Sequence, residues 1–413
     1  MKHSQKRLQI RAIVMTPNAP AYWPSVSTIF PEFIRLLESI FPKLERYDLL
    51  SEKKLPKKSH VWIFPSGAVQ SYTLNWLRAH FPNPLSRPPA IFLLGGEGAK
   101  LGYHLFHYRS IFRPDDQWVV ACDAEKALLE EFFPGNGRTH VMYHPVASQF
   151  RPAKSAKAKQ ELRRALGLSS RDPLMLYAGR LSQQKNILSL VQLLQFAPKL
   201  KLVICGDVDT VGASHLQGAK PQHVPSAVID QIRRLGMSRR VEFRPFLSQN
   251  DLRAMMQACD YQVSLSAHYG EDFGYSIAQG LCAGLKTILS DWGGHRNWME
   301  LADQGQVSYV PLDWSNGAEI GQPILDKNLK LPKRALPSDF HRAYQRMIRD
   351  QFLGILQSAL ALDHRSDSQN ELRIDPELAG FWNEVAKKPT AAMYSSTAHP
   401  LFKRVVRRYQ GLK

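Results

Sequence analysis

Two short stretches of the sequence place cations and a carboxylate where a bound anion could be held. In MLYAGRLSQQKN, Arg180 and Lys185 follow an apolar run typical of a buried strand. In GEDFGYSIAQG, Glu271 precedes Gly274, and a helical segment begins at about Tyr275. The first N–H groups of a helix carry partial positive charge, and a glycine lets a ligand approach the backbone closely. The two stretches therefore predict a site for a phosphate-containing ligand.

Two further features follow in the same region. Gln279 lies one turn after Tyr275, on the same face of the predicted helix. Gly293 and Gly294 come after a later apolar run and offer a second place where backbone can approach a ligand. For each glycine alone, a tight turn is the alternative interpretation.

Three patterns resemble known motifs but lack the context that their chemistry requires. SQQK has the letters of a serine acyl-enzyme motif without its partner motifs, and GGEGAK lacks the ending of a phosphate loop. Asp207 and Asp209 have the spacing of a metal-binding DxD element, but their place after VICG predicts a loop role. The four cysteines lie far apart with no histidine at ligand spacing, so no zinc site is predicted.

The overall charge favours anionic partners. The 413 residues carry a formal net charge of +18, which suits nucleic acid, an anionic membrane face or phosphorylated substrates. No apolar run is long enough for a transmembrane helix, and the N-terminus lacks the apolar region of a signal peptide. We expect a cytoplasmic protein, with peripheral association at the inner face of the cytoplasmic membrane as a further expectation.

The rhythm of apolar runs predicts an α/β fold with two Rossmann-like domains facing a central cleft. Short apolar runs alternate with helix-length segments, the pattern is interrupted at about residues 145–152, and it then begins again. The predicted strands of the first half are Ile10 to Val14, Val61 to Phe64, Ala90 to Leu94, Trp118 to Ala121 and Val141 to Tyr143. Those of the second half are Leu174 to Ala178, Leu200 to Ile204, Val241 to Phe243, Tyr261 to Leu265 and Lys286 to Leu289.

Helical periodicity supports the same division. Residues 30–41 place their apolar side chains on one face, with Pro31 in the expected first turn; the face covers the sheet or, alternatively, contacts a membrane. We expect an N-terminal domain over residues 1–150 and a C-terminal domain over residues 151–385. The basic segment 386–413 is either a solvated helix, an anion-facing or membrane-facing one, or a segment that crosses back to the first domain.

These blocks resemble the family 4 retaining glycosyltransferases of GT-B fold. The resemblance to the C-terminal domain of that family spans about residues 170 to 310 and rests on YAGRLSQQKN, VICGD, VEFRPFLSQNDLRAMMQACDYQVSLS, GEDFGYSIAQGLCAGLKTILSD and DWGGH. In the N-terminal domain it is limited to VVACDAEKALLEEFF and VMYHPVASQFRP, because TPNAPAYWPS replaces the usual glycine-rich loop.

The resemblance implies roles for individual residues. It assigns Arg180 and Lys185 to the diphosphate of a nucleotide-sugar donor and Glu271 to the hydroxyls of the donor sugar. The further substrate-binding positions are Gly179, Phe246, Phe273, Gly274, Tyr275, Ser276, Gln279, Gly293 and Gly294. Gln279 departs from the family's usual glutamate, which grips the ribose, and Asn297 stands where an acidic residue is more common.

The implied activity is transfer of a hexosyl-type sugar from a nucleotide diphosphate to an unidentified acceptor, with retention. Neither a metal nor a cofactor is expected, since Arg180 and Lys185 would stabilise the leaving group. The acceptor, a glycan, lipid or small molecule, would meet residues among Glu97, His104, His107 and His268. Glycan, glycolipid or cell-envelope polysaccharide synthesis is the expected setting.

Two other classes of function remain open from the sequence. A sugar-nucleotide epimerase or phosphorylase-type enzyme would keep the fold without a separate acceptor. A catalytically degenerate binding protein, of nucleic acid for example, would use the positive charge, although no nucleic-acid module is recognised in the sequence.

Overall fold

A computed structural model of the chain describes residues 10–16, 24–49, 55–56, 59–65, 71–94, 105–135, 138–208, 223–267, 271–314, 321–361, 374–376, 379, 404 and 407–411. Packing divides the chain into two compact units, residues 1–145 with 346–393 and residues 146–345 with 394–413. The C-terminal part differs from the expected division, because residues 346–393 group with the first unit and the basic end of the chain groups with the second.

The first unit is built on one parallel sheet of six strands. The strands are β1 (Ala12–Thr16), β2 (Leu44–Asp48), β3 (Val61–Phe64), β4 (Ala90–Leu93), β5 (Gln117–Val120) and β6 (Thr139–Val141). Their order across the sheet is β2-β1-β3-β4-β5-β6. β3 and β4 are buried along their whole length, which explains why they are apolar without alternation. β2 lies at the edge and carries charged residues, so no apolar run marks it in the sequence.

The described helices of the first unit include α1 (Pro24–Ile40), α2 (Ser71–His80) and α3 (Asp123–Phe132). The start of α1 differs from the prediction. Because α1 begins at Pro24, the prediction that Pro31 lies in its first turn is wrong. Pro31 lies inside the helix, where it removes one backbone N–H donor.

The predicted apolar face of α1 is buried within the first unit. Phe33 and Phe41 are 1% and 2% exposed. Both rings meet the edge of Phe352, with ring centroids 5.9 and 6.2 Å apart. This face therefore packs against protein, at least in part against Phe352 of another helix.

The second unit repeats the architecture. Its six parallel strands are β7 (Leu174–Ala178), β8 (Lys201–Cys205), β9 (Val241–Arg244), β10 (Tyr261–Ser264), β11 (Lys286–Ser290) and β12 (Val307–Val310). The order is β12-β11-β10-β7-β8-β9, so strand order changes direction between β10 and β7. A short antiparallel pair, β13 (Leu312–Asp313) and β14 (Gln322–Pro323), follows β12. The prediction of an α/β chain with two Rossmann-like units is confirmed.

Helices connect the strands of the second unit. Those described are α4 (Ala156–Ala165), α5 (Ile187–Leu193), α6 (His223–Arg234), α7 (Gln249–Ala258), α8 (Tyr275–Cys282) and α9 (Met299–Asp303). The core between sheet and helices is apolar and includes Leu190, Ile204 and Ile232, all less than one-tenth exposed.

The last described helix, α10 (Phe340–Ala361), runs across the division between the units. Its apolar face includes Phe352, which α1 contacts, and this packing explains why the chain joins the first unit earlier than predicted. Among the residues that the structure describes, no helix is both long enough and apolar enough to span a membrane.

Candidate functional site

The topology of the second sheet brings Lys185 and Glu271 to one place. β7 and β10 are neighbours in the sheet, and strand order changes direction between them. Arg180 and Lys185 lie in the connection after β7, and Glu271 lies in the connection after β10. In an open parallel sheet, such a change of direction leaves a crevice at the carboxyl ends of the strands, where ligands bind.

An ion pair joins the two connections. The ammonium of Lys185 contacts the Glu271 carboxylate directly and lies 3.3 Å from the Ser266 hydroxyl oxygen. Burial by itself raises the pKa of Glu271, which is 7% exposed. The charge of Lys185, the neighbouring His295 and hydrogen bonds from Lys185 and Ser266 outweigh burial and bring that pKa to about 2. Glu271 is therefore a carboxylate at neutral pH.

Asn186 fixes the turn that carries Lys185. A 3₁₀ turn spans Gln183–Lys185, and Asn186 follows it in the left-handed region with φ of 50°. Asparagine is among the few non-glycine residues that occupy this region readily. Its side-chain amide donates to the carbonyl oxygens of Leu265 at 2.8 Å and Gly321 at 3.1 Å. These bonds tie the turn to the end of β10.

The N-terminus of α8 lies directly after Glu271. Gly274 occupies the N-cap position with φ of 72°, a conformation that L side chains rarely adopt. The first intrahelical bond is donated by Ile277 to the Gly274 carbonyl at 2.8 Å. The N–H groups of Tyr275 and Ser276 precede it, at the positive end of the helix dipole.

The paired glycines pack against the same segment of chain. The Gly294 N–H donates to the Glu271 carbonyl at 2.9 Å. A Cβ at Gly294 would lie 2.1 Å from the Asp272 carbonyl oxygen, so only glycine fits. The close approach at this position is thus made by the protein's own backbone, and it fixes the peptide unit that bears Glu271.

His295 is a buried neighbour of the ion pair. The Ser290 hydroxyl donates to the Ser266 carbonyl, so it accepts from His295 Nδ1, which lies 2.8 Å away. Burial lowers the pKa of His295 to about 4, Glu271 opposes this and Lys185 adds to it, so the ring is neutral at pH 7. Its Nε2 has no hydrogen-bond partner among the described residues and faces Gly274, 3.2 Å from where a Cβ would be.

Gln279 pairs with a second amide. It is 2% exposed, and its amide nitrogen donates to the side-chain oxygen of Gln249 at 2.9 Å. Gln249 is the first residue of α7 and Gln279 lies in the middle of α8, so the pair joins the beginning of one helix to the middle of the other. One N–H of Gln279 is committed to this contact, while its carbonyl oxygen remains an acceptor.

The remaining predicted donor-side residues are placed as follows. The Arg180 carbonyl accepts from the Tyr177 hydroxyl at 2.7 Å, and the N–H of Gly179 donates to the backbone carbonyl of Cys205 at 3.0 Å. Phe273 is buried against Trp298, with ring centroids 5.9 Å apart. Phe246 is 56% exposed, and its N–H lies 3.3 Å from an oxygen of Asp207.

The predicted acceptor-side residues are largely outside the described part of the chain. Glu97, His104 and His268 lie there, as does Asp209 of the DxD-like pattern. His107, in the first unit, is exposed and lies edge-on to Tyr108 with ring centroids 4.8 Å apart. Within the described ranges, no group of three or more His, Cys, Asp or Glu residues is arranged to hold a metal ion.

Sequence reasoning missed Ser266, His295 and Gln249. Ser266 ends the apolar run of β10, and His295 directly follows the paired glycines, so both lie beside residues that were predicted. Gln249 had no signal, because its contact with Gln279 depends on how two helices pack.

Comparison with known proteins gives a family match for most of the second unit. Residues 158–334 match the family model described as Glycosyl transferases group 1. The GDP-mannose:cellobiosyl-diphosphopolyprenol alpha-mannosyltransferase of Xanthomonas oryzae pv. oryzae is 35% identical over 121 residues, which cover 28% of this chain and 28% of that protein. The chain thus spans little more than a quarter of that relative's length.

Two solved structures share the fold over nearly the whole chain. A glycosyltransferase from Rickettsia africae is 14% identical, with a TM-score of 0.54 over 92% of this chain and 100% of its own. The Anabaena protein HepE in complex with UDP is 16% identical, with a TM-score of 0.51 over 92% of this chain and 99% of its own. At these identities, the likeness concerns the fold.

The depressed pKa of Glu271 predicts how stability depends on pH. Because the pKa of about 2 in the folded state lies below the ordinary 4.5, the ionised carboxylate stabilises the fold fully above about pH 4.5. That contribution, on the order of 3 kcal/mol, is lost as the pH falls from about 4.5 towards 2 and below. Urea denaturation of the wild type and Glu271→Gln should show their stability difference shrinking over this range.

Glu161→Gln provides the matched control, because Glu161 is an exposed carboxylate on α4 of the same unit. It should follow the wild-type pH dependence. A constant difference between wild type and Glu271→Gln at all pH values would contradict the assignment of the ionised carboxylate.

Proposed function

We propose that residues 158–334, which match the family model of the group 1 glycosyltransferases, bind a nucleotide-diphosphate sugar and transfer the sugar to an acceptor. The observation that carries the proposal is the Lys185–Glu271 pair at the carboxyl edge of the sheet, beside the N-terminus of α8. It sets a cation, an ionised carboxylate and backbone N–H donors close together. These are the groups that a diphosphate and a sugar require.

Lys185 and Arg180 would bind the diphosphate. The ammonium of Lys185 has three N–H donors, and Glu271 and Ser266 engage two of them. The third can be directed to a phosphate oxygen without breaking the pair. Arg180 lies in the same connection after β7, and its guanidinium is the side chain best suited to a phosphate.

Glu271 would bind hydroxyls of the donor sugar. An ionised carboxylate is a pure acceptor, and each sugar hydroxyl can donate one hydrogen bond to it. The charge of Lys185 keeps Glu271 in that form at neutral pH. One pair of residues thereby joins the two halves of the donor, the sugar on one side and the phosphates on the other.

The proposed chemistry is transfer of a hexosyl-type sugar with retention and without a metal. As the bond to the diphosphate breaks, negative charge develops on the leaving oxygen, and Lys185, Arg180 and the N–H groups of Tyr275 and Ser276 would stabilise it. The acceptor oxygen then enters on the face that the diphosphate leaves, and its hydroxyl proton passes to the departing phosphate oxygen. NMR of the anomeric proton of the product tests retention, and turnover in EDTA tests metal independence.

Nucleotide binding should be visible before any acceptor is known. The Anabaena structure contains UDP, whereas the Xanthomonas relative is named for GDP-mannose, so both bases belong in the test. We expect one nucleotide family among UDP, GDP, ADP, CMP and their common sugar conjugates to raise the melting temperature. A ligand at 100 times its Kd stabilises the protein by about 2.7 kcal/mol. If no member of the panel raised the melting temperature, the proposal of a donor site would be contradicted.

Lys185→Ala should lower turnover by about a hundredfold or more, since it removes a charge that stabilises the leaving group. Lys201→Ala is the matched control, because Lys201 also pairs with a carboxylate of the second unit, at 2.7 Å from Asp172, but is partly exposed and starts β8. Circular dichroism and melting temperature would show that both variants fold. A fully active Lys185→Ala enzyme would remove Lys185 from the mechanism.

Product analysis with the donor alone separates the alternative activities. A transferase leaves the donor intact until an acceptor is added, apart from slow hydrolysis. An epimerase or a phosphorylase-type enzyme changes the donor alone or with inorganic phosphate. A binding protein changes it under neither condition.

We also propose that the acceptor is met at an anionic membrane surface. The support is the net charge of +18 and the basic C-terminal sequence LFKRVVRRYQGLK. The protein should float with vesicles that contain anionic phospholipid and should be released by high salt, because the attraction is electrostatic. Failure to float with anionic vesicles at low salt would contradict this proposal. Vesicles of neutral lipid are the control.

A further inference from the structure

The C-terminal residues 407–411 pack beneath the paired glycines of the second unit. Tyr409 has no exposed surface and is among the largest fully buried side chains. Its ring lies 5.3 Å from that of Trp292, centroid to centroid, and Trp292 stacks on Trp314 at 4.3 Å. The neighbouring Arg296 lies against the turn at Gly411 and pairs with Asp291. The contacts come from both sides of the Gly293–Gly294 turn.

Gly293 lies against both Tyr409 and the backbone of the candidate site. It has φ of 47°, and a Cβ there would lie 2.6 Å from Tyr409 Cδ1 and 2.6 Å from the Glu271 carbonyl oxygen. The ring and the Glu271 carbonyl therefore meet at the position that a side chain of Gly293 would occupy. The lack of a side chain at Gly293 is what lets these two groups come so close.

A continuous set of contacts leads from Tyr409 to Lys185. The Tyr409 ring packs on Gly293, and the N–H of Gly294 donates to the Glu271 carbonyl at 2.9 Å. The side chain of Glu271 in turn pairs with Lys185. Each step is at van der Waals or hydrogen-bond distance, and Tyr409, Gly293 and Glu271 are buried. Such packing transmits a displacement, because protein interiors contain few voids that could absorb it.

We propose that Tyr409 is a positioning residue of the donor site, whose ring holds the Gly293–Gly294 turn against the backbone of Glu271. The inference rests on the proposed function for the identity of the ligand, and on the contacts above for the positioning itself. The end of the chain is thus part of the site's support, although it lies more than a hundred residues after Glu271 in the sequence.

The test compares Tyr409→Ala with Tyr409→Phe. Removing the ring should raise the Kd for the nucleotide diphosphate by about tenfold, measured by calorimetry with UDP, GDP and ADP, because the turn is no longer held. Tyr409→Phe keeps the ring contacts with Trp292 and Gly293 and should stay within about twofold of the wild type. In turnover assays, the loss in Tyr409→Ala should fall mainly on KM for the donor.

Ile232→Ala is the matched control for a general loss of stability. Ile232 is a buried core residue on α6, in the apolar cluster of the same unit. This variant should lower the melting temperature without changing the Kd at a temperature where it is fully folded. Equal loss of affinity in Ile232→Ala and Tyr409→Ala would overturn the proposal. If Tyr409→Ala does not fold, Tyr409→Leu, which keeps apolar volume without a planar ring, takes its place.

Hydrogen exchange separates this proposal from the proposed function. The Gly294 N–H, which donates to Glu271, should exchange faster in Tyr409→Ala, while strand β8 stays as protected as in the wild type. This readout needs no nucleotide. Unchanged protection at Gly294 overturns the inference, whereas absence of nucleotide binding in the wild type overturns only the proposed function.

Discussion

Lys185 is the main group that keeps the buried carboxylate of Glu271 ionised. Burying a lone carboxylate costs several kcal/mol, a large share of a domain's net stability, and a paired one is tolerated when its remaining hydrogen bonds are satisfied. Glu271 and Lys185 are 86 residues apart in the chain. The sheet order that makes β7 and β10 neighbours is therefore a condition for the pair, and the pair in turn fixes the connections that follow both strands.

The end of β10 is the node at which these connections meet. The Leu265 carbonyl accepts from Asn186, and the Ser266 carbonyl accepts from the Ser290 hydroxyl. The Ser266 hydroxyl lies 3.3 Å from Lys185. Three segments, after β7, β10 and β11, are thus joined by hydrogen bonds around two residues. A site built on strand ends in this way is held more rigidly than one built on long loops.

The elements of the fold that could be predicted are those whose structure is determined by the residues within the element itself. Buried parallel strands are continuous apolar runs, so Val61–Phe64 and Leu174–Ala178 were found with their observed bounds. The edge strand Leu44–Asp48 carries charge and was missed, and α1 begins before Pro31 because an internal proline does not always end a helix. The locations of Lys185 and Glu271 were also predictable, since both follow apolar runs that end at the same edge of the sheet.

The support of the site was not predictable, because it depends on packing between distant segments. His295 gave no separate signal: its neutral state follows from burial, which lowers its pKa despite the opposing charge of Glu271. Tyr409 lies in a basic segment that suggested a solvated helix, an anion-facing or membrane-facing one, or a return to the first domain. Its ring is fully buried in the second unit. An isolated aromatic residue in a charged sequence carries no periodic pattern from which its burial could be inferred.

Gln279 shows how the surroundings decide between an amide and a carboxylate. Glu271 keeps its charge because a cation lies in contact with it, whereas the partner that the structure gives Gln279 is the amide of Gln249. At 2% exposure, a carboxylate in place of Gln279 would need a compensating cation or several hydrogen-bond donors to stay ionised. The amide pair satisfies one donor and one acceptor without adding charge, and it leaves an oxygen that can accept from a hydroxyl. Gln249 and Gln279 thus satisfy each other without the buried charge that Glu271 can carry beside Lys185.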